Sequence, residues 1–176
     1  MAEAQTGVRV ELADQGGATV STGLPVLDHL VGDLARTGRL RISLEVAPGS
    51  AEEEAAAAGA ALGRAFAELL GHDGAARRAW ALVPADEALA AAALEVADRP
   101  LVASNVDFSG QHVGGLASDL VSVFLNELAA AAGLNIHIRL LEGRDPQHVL
   151  MAMFKALGAA LGDACRPPLG AGGGVE

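Results

Sequence analysis

Gly133-Leu134-Asn135-Ile136-His137-Ile138-Arg139-Leu140, followed shortly by Asp145-Pro146-Gln147-His148-Val149-Leu150-Met151-Ala152-Met153-Phe154-Lys155-Ala156-Leu157, is the stretch that decides how this chain folds. Leu134, Ile136, Ile138 and Leu140 alternate with polar residues. A period of two places them on one face of a half-buried strand. After residue 145 the period lengthens. Leu150, Met153, Phe154, Leu157 and Leu161 recur at helical spacing, which predicts a helix over 147–164 with one apolar face. Upstream, Leu120, Val123, Phe124 and Leu128 predict a helix over 115–132, with Gly133 as its stop. The stretch therefore reads helix, strand, helix.

Working outward, the same order occurs about 95 positions earlier. Pro25 suits a first helical turn, and Leu27, Leu30, Val31 and Leu34 predict a helix over 25–37 stopped by Gly38. Leu40, Ile42, Leu44 and Val46 alternate as a strand. Ala58, Leu62, Phe66 and Leu69 line a second helix over 52–70, which Gly71-His72-Asp73-Gly74 ends. Gly38 corresponds to Gly133, Leu62-Gly63 to Leu157-Gly158, and Glu52-Glu53 to Gln147-His148. The strand alternation slips by one residue, so the repeat is approximate. Residues 7–13 and 17–21 read as short strands around Gln15-Gly16-Gly17. In 77–107, Ala88 to Ala93 favour helix by propensity. Pro84, Pro100, Leu82-Val83 and Val102 favour strands, and strands are expected. The expected fold class is α+β, a duplicated unit with four helices and two small mixed sheets. One domain is expected over 1–165, with pseudo-repeats of about 7–72 and 77–165 and a flexible Gly/Pro tail over 166–176.

Composition narrows the function classes. Aromatics are only 3% of the chain and much of the apolar half is Ala, so the core relies on Leu, Val, Ile and Phe, or on oligomerisation. A net charge of −10 argues against nucleic acid or an anionic membrane surface as partner, while leaving room for a small anion in a local basic pocket. No apolar run is long enough to span a bilayer, and Met1-Ala2-Glu3-Ala4-Gln5 lacks the features of a secretory signal. The single Cys165 excludes an internal disulfide and suits a reducing, cytoplasmic location. It is expected to pack as a small hydrophobe.

Five ordered segments carry a family resemblance. Thr22-Gly23-Leu24-Pro25-Val26-Leu27-Asp28-His29-Leu30 resembles the TG-x-x-F-L-D-H-M segment of the imidazoleglycerol-phosphate dehydratase family. Pro84-Ala85-Asp86-Glu87-Ala88-Leu89 is similar to its P-M-D-E-A-L, and Asp98-Arg99-Pro100 to its S/G-R-P. Leu134-Asn135-Ile136-His137-Ile138 is similar to L-T-L-H-I, and Gly143 to Leu157 to G-x-N-x-H-H-x-x-E-A-x-F-K-A-L. Order and spacing are kept over roughly 7–165. The resemblance implies a four-helix bundle between two sheets and supports strands in 77–107. It also implies a manganese-dependent hydro-lyase of histidine biosynthesis, with two metals shared between subunits of a large oligomer.

The family's ligands come from L-D-H, from H-H-x-x-E on the first long helix, from L-H-I, and from H-H-x-x-E on the last helix. Carried over by motif, His29, His137 and His148 keep the family residue. On the first long helix both His are replaced by Glu52 and Glu53, and the Glu by Ala56. On the last, Gln147 and Met151 stand where a His and the Glu belong. A first-row divalent ion held by nitrogen and oxygen wants four to six donors, and three histidines spread over two sites are too few. The family's C-terminal S-T-K-G falls on Ala171 to Gly174, and its N-terminal T-x-E-T near Ala4-Gln5, without the residues that act there. Glu87 is the retained catalytic candidate; Arg77, Arg99 and Lys155 are retained, vestigial substrate contacts.

Plainer readings stand beside these. The three histidines can be hydrogen-bonded remnants at a subunit contact. Glu52 and Glu53 can replace imidazoles at a metal, or serve an acidic helix start capped by Ser50. Arg99 and Lys155 can bind an anion or form salt bridges. Glu87 can be structural. His72 and His112 match no motif and are read as solvated loop residues. Five lost ligand positions on a well-kept scaffold lead to the expectation of a dehydratase homologue without the activity, with no cofactor. It would act as a structural or regulatory homo-oligomer, a trimer in preference to a 24-mer, or assemble with a genuine dehydratase paralogue. The alternative is an active dehydratase or related lyase using manganese at an altered site.

Overall fold

The computed structural model describes residues 5–107 and 109–169. The first repeat runs β1 (Gly7–Leu12), β2 (Gly17–Ser21), α1 (Pro25–Gly38), β3 (Leu40–Glu45) and α2 (Ala51–Leu70). The second runs β4 (Arg78–Ala85), β5 (Ala88–Val96), β6 (Leu101–Ser104), the short pair β7 (His112–Val113) and β8 (Leu116–Ala117), then α3 (Asp119–Ala132), β9 (Leu134–Glu142) and α4 (Pro146–Ala164). The first sheet has order β1-β3-β2 and the second β4-β5-β9-β6. In the first, β3 is antiparallel to β1 and parallel to β2. In the second, β9 is antiparallel to β5 and parallel to β6. The two units thus repeat one topology, and β4 is an added edge strand. Helices α1 and α2 cover the first sheet, α3 and α4 the second, and α1 packs on α4 as α2 packs on α3. This is the expected α+β fold, a four-helix layer between two small mixed sheets.

Alternation decides which strand faces join the core. Leu40, Ile42 and Leu44 of β3, and Leu134, Ile136 and Ile138 of β9, are all buried beneath the helices. The alanines of β5 behave the same way: Ala88, Ala90 and Ala92 are buried. Their run is a strand because β5 is hydrogen-bonded on both sides, so pairing outweighs helix propensity. Phe124 and Phe154 stack at 5.7 Å between ring centres within the helical layer. The helices approach to backbone contact. A Cβ on Gly158 of α4 would lie 2.1 Å from the carbonyl oxygen of Leu34 on α1, and one on Gly59 of α2 would lie 2.3 Å from that of Phe124 on α3. No described helix is long and apolar enough to cross a membrane.

Several boundaries differ from expectation. Gly38 does not stop α1; it is the last helical residue, and Arg39 makes the turn with φ 52°. Arg39 is therefore the counterpart of Gly133, which caps α3 at φ 70°. The next N-caps, Ser50 and Asp145, correspond with one extra residue in the second copy. That residue is Leu141, which bulges out of β9 where the register with β5 shifts, and it accounts for the slip in the repeat. Helix α3 begins at Asp119 and not at 115, because Gly114 and Gly115, with φ 57° and 88°, turn the β7–β8 hairpin. His112 accordingly sits in a strand, exposed.

Arg166 is a further correction. It lies in the stretch expected to be a flexible tail, yet its guanidinium donates to the carbonyls of Gly38, Gly162, Ala13 and Arg39 at 2.7–3.0 Å. It fastens the ends of α1 and α4 to the β1–β2 connection. The remainder of the proposed tail from residue 170, and the positions aligned with S-T-K-G, lie outside the described residues, as does Ala4. Cys165 is buried as expected, and burial pushes its thiol up to about 12.

Candidate functional site

The N-terminus of α4 carries the best-formed polar group in the molecule. Pro146 takes a first-turn position and the Asp145 carboxylate caps the helix by accepting the Gln147 N–H at 2.8 Å. The β4–β5 turn comes up against it, with Asp86 at φ 50°. Through that turn Glu87 reaches α4. One carboxylate oxygen accepts the N–H groups of Arg144 (3.2 Å) and Asp145 (2.8 Å); the other lies 2.6 Å from Nδ1 of His148. Asp86 lies 3.3 Å from the opposite nitrogen, Nε2. The backbone N–H of Asp145, then the His148 ring, hold the Glu87 carboxyl at about 2. The same contact raises His148 above the usual imidazole value. A ring with a carboxylate at each nitrogen is best satisfied as the doubly donating imidazolium. This arrangement can hold a proton; a metal ligand must give one up.

The α1 motif separates into two roles. Asp28 is structural: its carboxylate accepts the Thr22 N–H at 3.0 Å and the Thr22 hydroxyl, while the Thr22 hydroxyl accepts the Leu24 N–H. Together they shape the turn into the helix. His29 is more exposed, and its Nε2 lies 3.8 Å from Asp33, one helical turn on. Asp33 is a buried carboxylate that the sequence reading passed over. One oxygen accepts from Arg36 at 2.6 Å; the other has no hydrogen-bond partner among the described residues. Its signal was a charged residue on the stripe of Leu27, Leu30 and Leu34, where helical periodicity calls for an apolar one.

On α2, the plainer reading of Glu53 is the observed one. The Ser50 hydroxyl accepts the Glu53 N–H at 3.2 Å, and Glu53 accepts the Ser50 N–H at 2.7 Å, a capping box. These bonds lower the Glu53 carboxyl. Glu54 accepts from the Gly49 N–H at 3.3 Å. Glu52 is exposed at the same helix start. Ala56 provides no donor.

The other candidates lie elsewhere. His137 is on the outer face of the second sheet, in one row with Ala93 and Trp80, beside a shallow cavity of about 320 Å³ also lined by Asn135, Arg78 and Glu95. Arg77 lies just before β4 at φ 63°; its N–H donates to the Ala164 carbonyl and its carbonyl accepts from the Val96 N–H. Arg99 is exposed in the β5–β6 connection, and Lys155 is half-buried two turns along α4 from His148. Of the nine sequence candidates, Glu87 and His148 are brought into contact. Among the described residues of one chain, no three His, Cys, Asp or Glu are grouped to hold a metal ion. His29, His137 and His148 stand on three different elements, α1, β9 and α4.

Comparison with known proteins agrees with the motifs and the fold. The family model for imidazoleglycerol-phosphate dehydratase matches residues 22–161. The imidazoleglycerol-phosphate dehydratase of Methanothermobacter thermautotrophicus is 37% identical over 171 residues, covering 93% of this chain and 86% of that protein. That of Clostridium botulinum (strain Kyoto / Type A2) is 33% identical over 167 residues, covering 92% and 85%. The crystal structure of the Staphylococcus aureus enzyme superimposes with a TM-score of 0.83 at 25% identity, covering 92% of this chain and 94% of that one. The Pyrococcus furiosus enzyme, in complex with (S)-C348, gives 0.77 at 27%, covering 94% and 92%. With its duplicated sheets, its helical layer and the L-D-H and L-H-I segments in place, this chain belongs to the imidazoleglycerol-phosphate dehydratase family.

Proposed function

We propose that this chain is a member of the dehydratase family that has lost the dehydration chemistry and serves as a structural or regulatory homo-oligomer. The observation that carries this reading is the fate of the first long-helix motif. Glu53, standing where the family places a metal-binding imidazole, is engaged in closing the N-terminus of its own helix. Freeing it for a cation would cost the helix its capping box. Ala56 and Met151 remove the carboxylates that would complete the two sites. On α4, the surviving His148 is oriented by Glu87 and Asp86. Arg77, Arg99 and Lys155 remain as cations without the phosphate grip that the family's C-terminal motif supplies.

With fewer metal bridges between subunits, a trimer is the expected assembly in preference to the 24-subunit shell, and a genuine dehydratase paralogue is the natural hetero-partner. Because metal loading, turnover and mass are separate readouts, one preparation tests the reading. The full chain is exposed to manganese, analysed for metal and mass, and assayed with imidazole glycerol phosphate. A trimer with substoichiometric metal and no turnover is expected. Turnover proportional to bound manganese would overturn the proposal.

A second reading, an active dehydratase or lyase with an altered metal site, draws support from one feature. The Glu87–His148 contact at 2.6 Å is a built proton-holding pair beside a solvent-facing helix start. It predicts that His148→Ala abolishes turnover and metal retention together, with Glu52 as a substitute ligand.

A further inference from the structure

The strongest feature outside the family site lies at the opposite end of α1 and α4, where both helices finish. The β1–β2 connection and the starts of β3 and the tail border an open polar groove of about 640 Å³ there, lined by Ala13, Asp14, Gln15, Arg39, Arg41 and Arg166. A second hollow shares Arg39 and Arg166 with it and extends to Arg78 at the edge of the second sheet. Four of the chain's twelve basic residues therefore line this groove and its neighbouring hollow on a protein of net charge −10.

The arginines are not equivalent. Arg166 is fully engaged by four main-chain carbonyls, which fix its guanidinium as the floor of the groove. Among the described residues, Arg39 and Arg41 have only long ion pairs, to Asp163 at 3.9 Å and Glu11 at 4.0 Å, with both partners of each pair well exposed. Such pairs contribute little and separate readily. Asp14 is the remaining acidic group in the lining. Arg39 also holds a left-handed backbone at φ 52°, where the other repeat uses Gly133. An arginine thus stands at a position glycine would occupy without strain. Burial first, and then the nearby charge of Arg39, lower the proton affinity of Arg166, so the two cations repel across the groove.

We infer that this groove is a binding site for a multivalent oxyanion of the phosphate-ester or pyrophosphate class, held by Arg39 and Arg41 above the fixed Arg166 and separate from Arg77 and Arg99. Planar guanidinium forks match phosphate oxygens in pairs. A bound oxyanion would relieve the Arg39–Arg166 repulsion and displace the long carboxylate contacts.

The test is calorimetric titration of the full-length protein with pyrophosphate at constant ionic strength, repeated with inorganic phosphate. The variants are R39A/R41A and R77A/R99A, with a circular dichroism melt confirming that each is folded. Saturable binding that R39A/R41A weakens about ten-fold or more, and R77A/R99A leaves within about two-fold, is expected. A second double variant, R39Q/R41Q, keeps side-chain bulk and hydrogen bonding and should lose affinity alike. No saturable binding of either anion by the wild-type protein, or binding lost in R77A/R99A and kept in R39A/R41A, would overturn the inference.

Discussion

Removing the Arg166 side chain is the most telling perturbation of the scaffold. Arg166→Ala takes a cation away from four carbonyl oxygens at 2.7–3.0 Å, in the β1–β2 connection, at the end of α1, at Arg39 and in the last turn of α4. The carbonyls of Gly38 and Gly162 lie near helix ends, where intrahelical partners run out. Bonds to a charged group are each worth about 1.5–3 kcal/mol when isolated. They are not additive here, and water can enter beside a half-buried side chain to replace part of each. We therefore take the loss as about 3 kcal/mol, near the value of two such bonds. For a chain of this length that corresponds to a fall in Tm of about 6–12 °C. Arg166→Lys keeps the charge and loses the planar fork, so it should recover no more than about half of the deficit. Urea titration followed by far-ultraviolet circular dichroism measures both, at a protein concentration where the mass of the assembly is unchanged. A variant Arg166→Ala within about 0.5 kcal/mol of wild type would show that these contacts do not hold the two repeats together.

Gly158→Ala should destabilise by about 1–3 kcal/mol despite the better helix propensity of Ala, because the new Cβ lies 2.1 Å from a main-chain oxygen of α1. Gly71→Ala meets only contacts of 3.3–3.4 Å and should be nearly neutral; equal urea midpoints for the two would refute close helix approach as the cause. Glu87→Gln should return the His148 imidazole toward its ordinary 6.5, read by NMR titration of the ring protons. An unmoved titration would mean that Asp86 or Asp145, not Glu87, sets it. The pair also sets a pH window. The raised His148 contributes stability below about 6.5 that is lost as pH rises through its folded value, and the lowered Glu87 contributes above about 4.5 and loses it as pH falls toward about 2. The wild-type minus Glu87→Gln stability difference should therefore be greatest between those limits and shrink on either side.

Much of the architecture was legible because periodicity and backbone pairing act locally. The α1, α2 and α4 stripes, the alternation in β3 and β9, and the Ser50 cap follow from spacing alone. The misses share a cause. Arg39 in place of Gly38 as the turning residue, and Leu141 as a bulge, depend on how a strand is held by its neighbours, which no window of sequence contains. The β7–β8 hairpin was lost inside a helix prediction because two pairs of residues give too short a period to read. At the site, motif order identified Glu87 and His148 individually. Their 2.6 Å contact exists because the β4–β5 turn and the α4 N-terminus meet in space, some sixty residues apart in sequence.

By itself, then, the sequence determined the repeat, the fold class and the family, since each is a matter of residue type at a given spacing. Only the tertiary structure decided what the surviving polar groups do. It gave Glu87 to an imidazole and Arg166 to the junction of the two repeats. The physical reason is that a charge acts through the partners within a few ångströms of it, and those partners are chosen by folding.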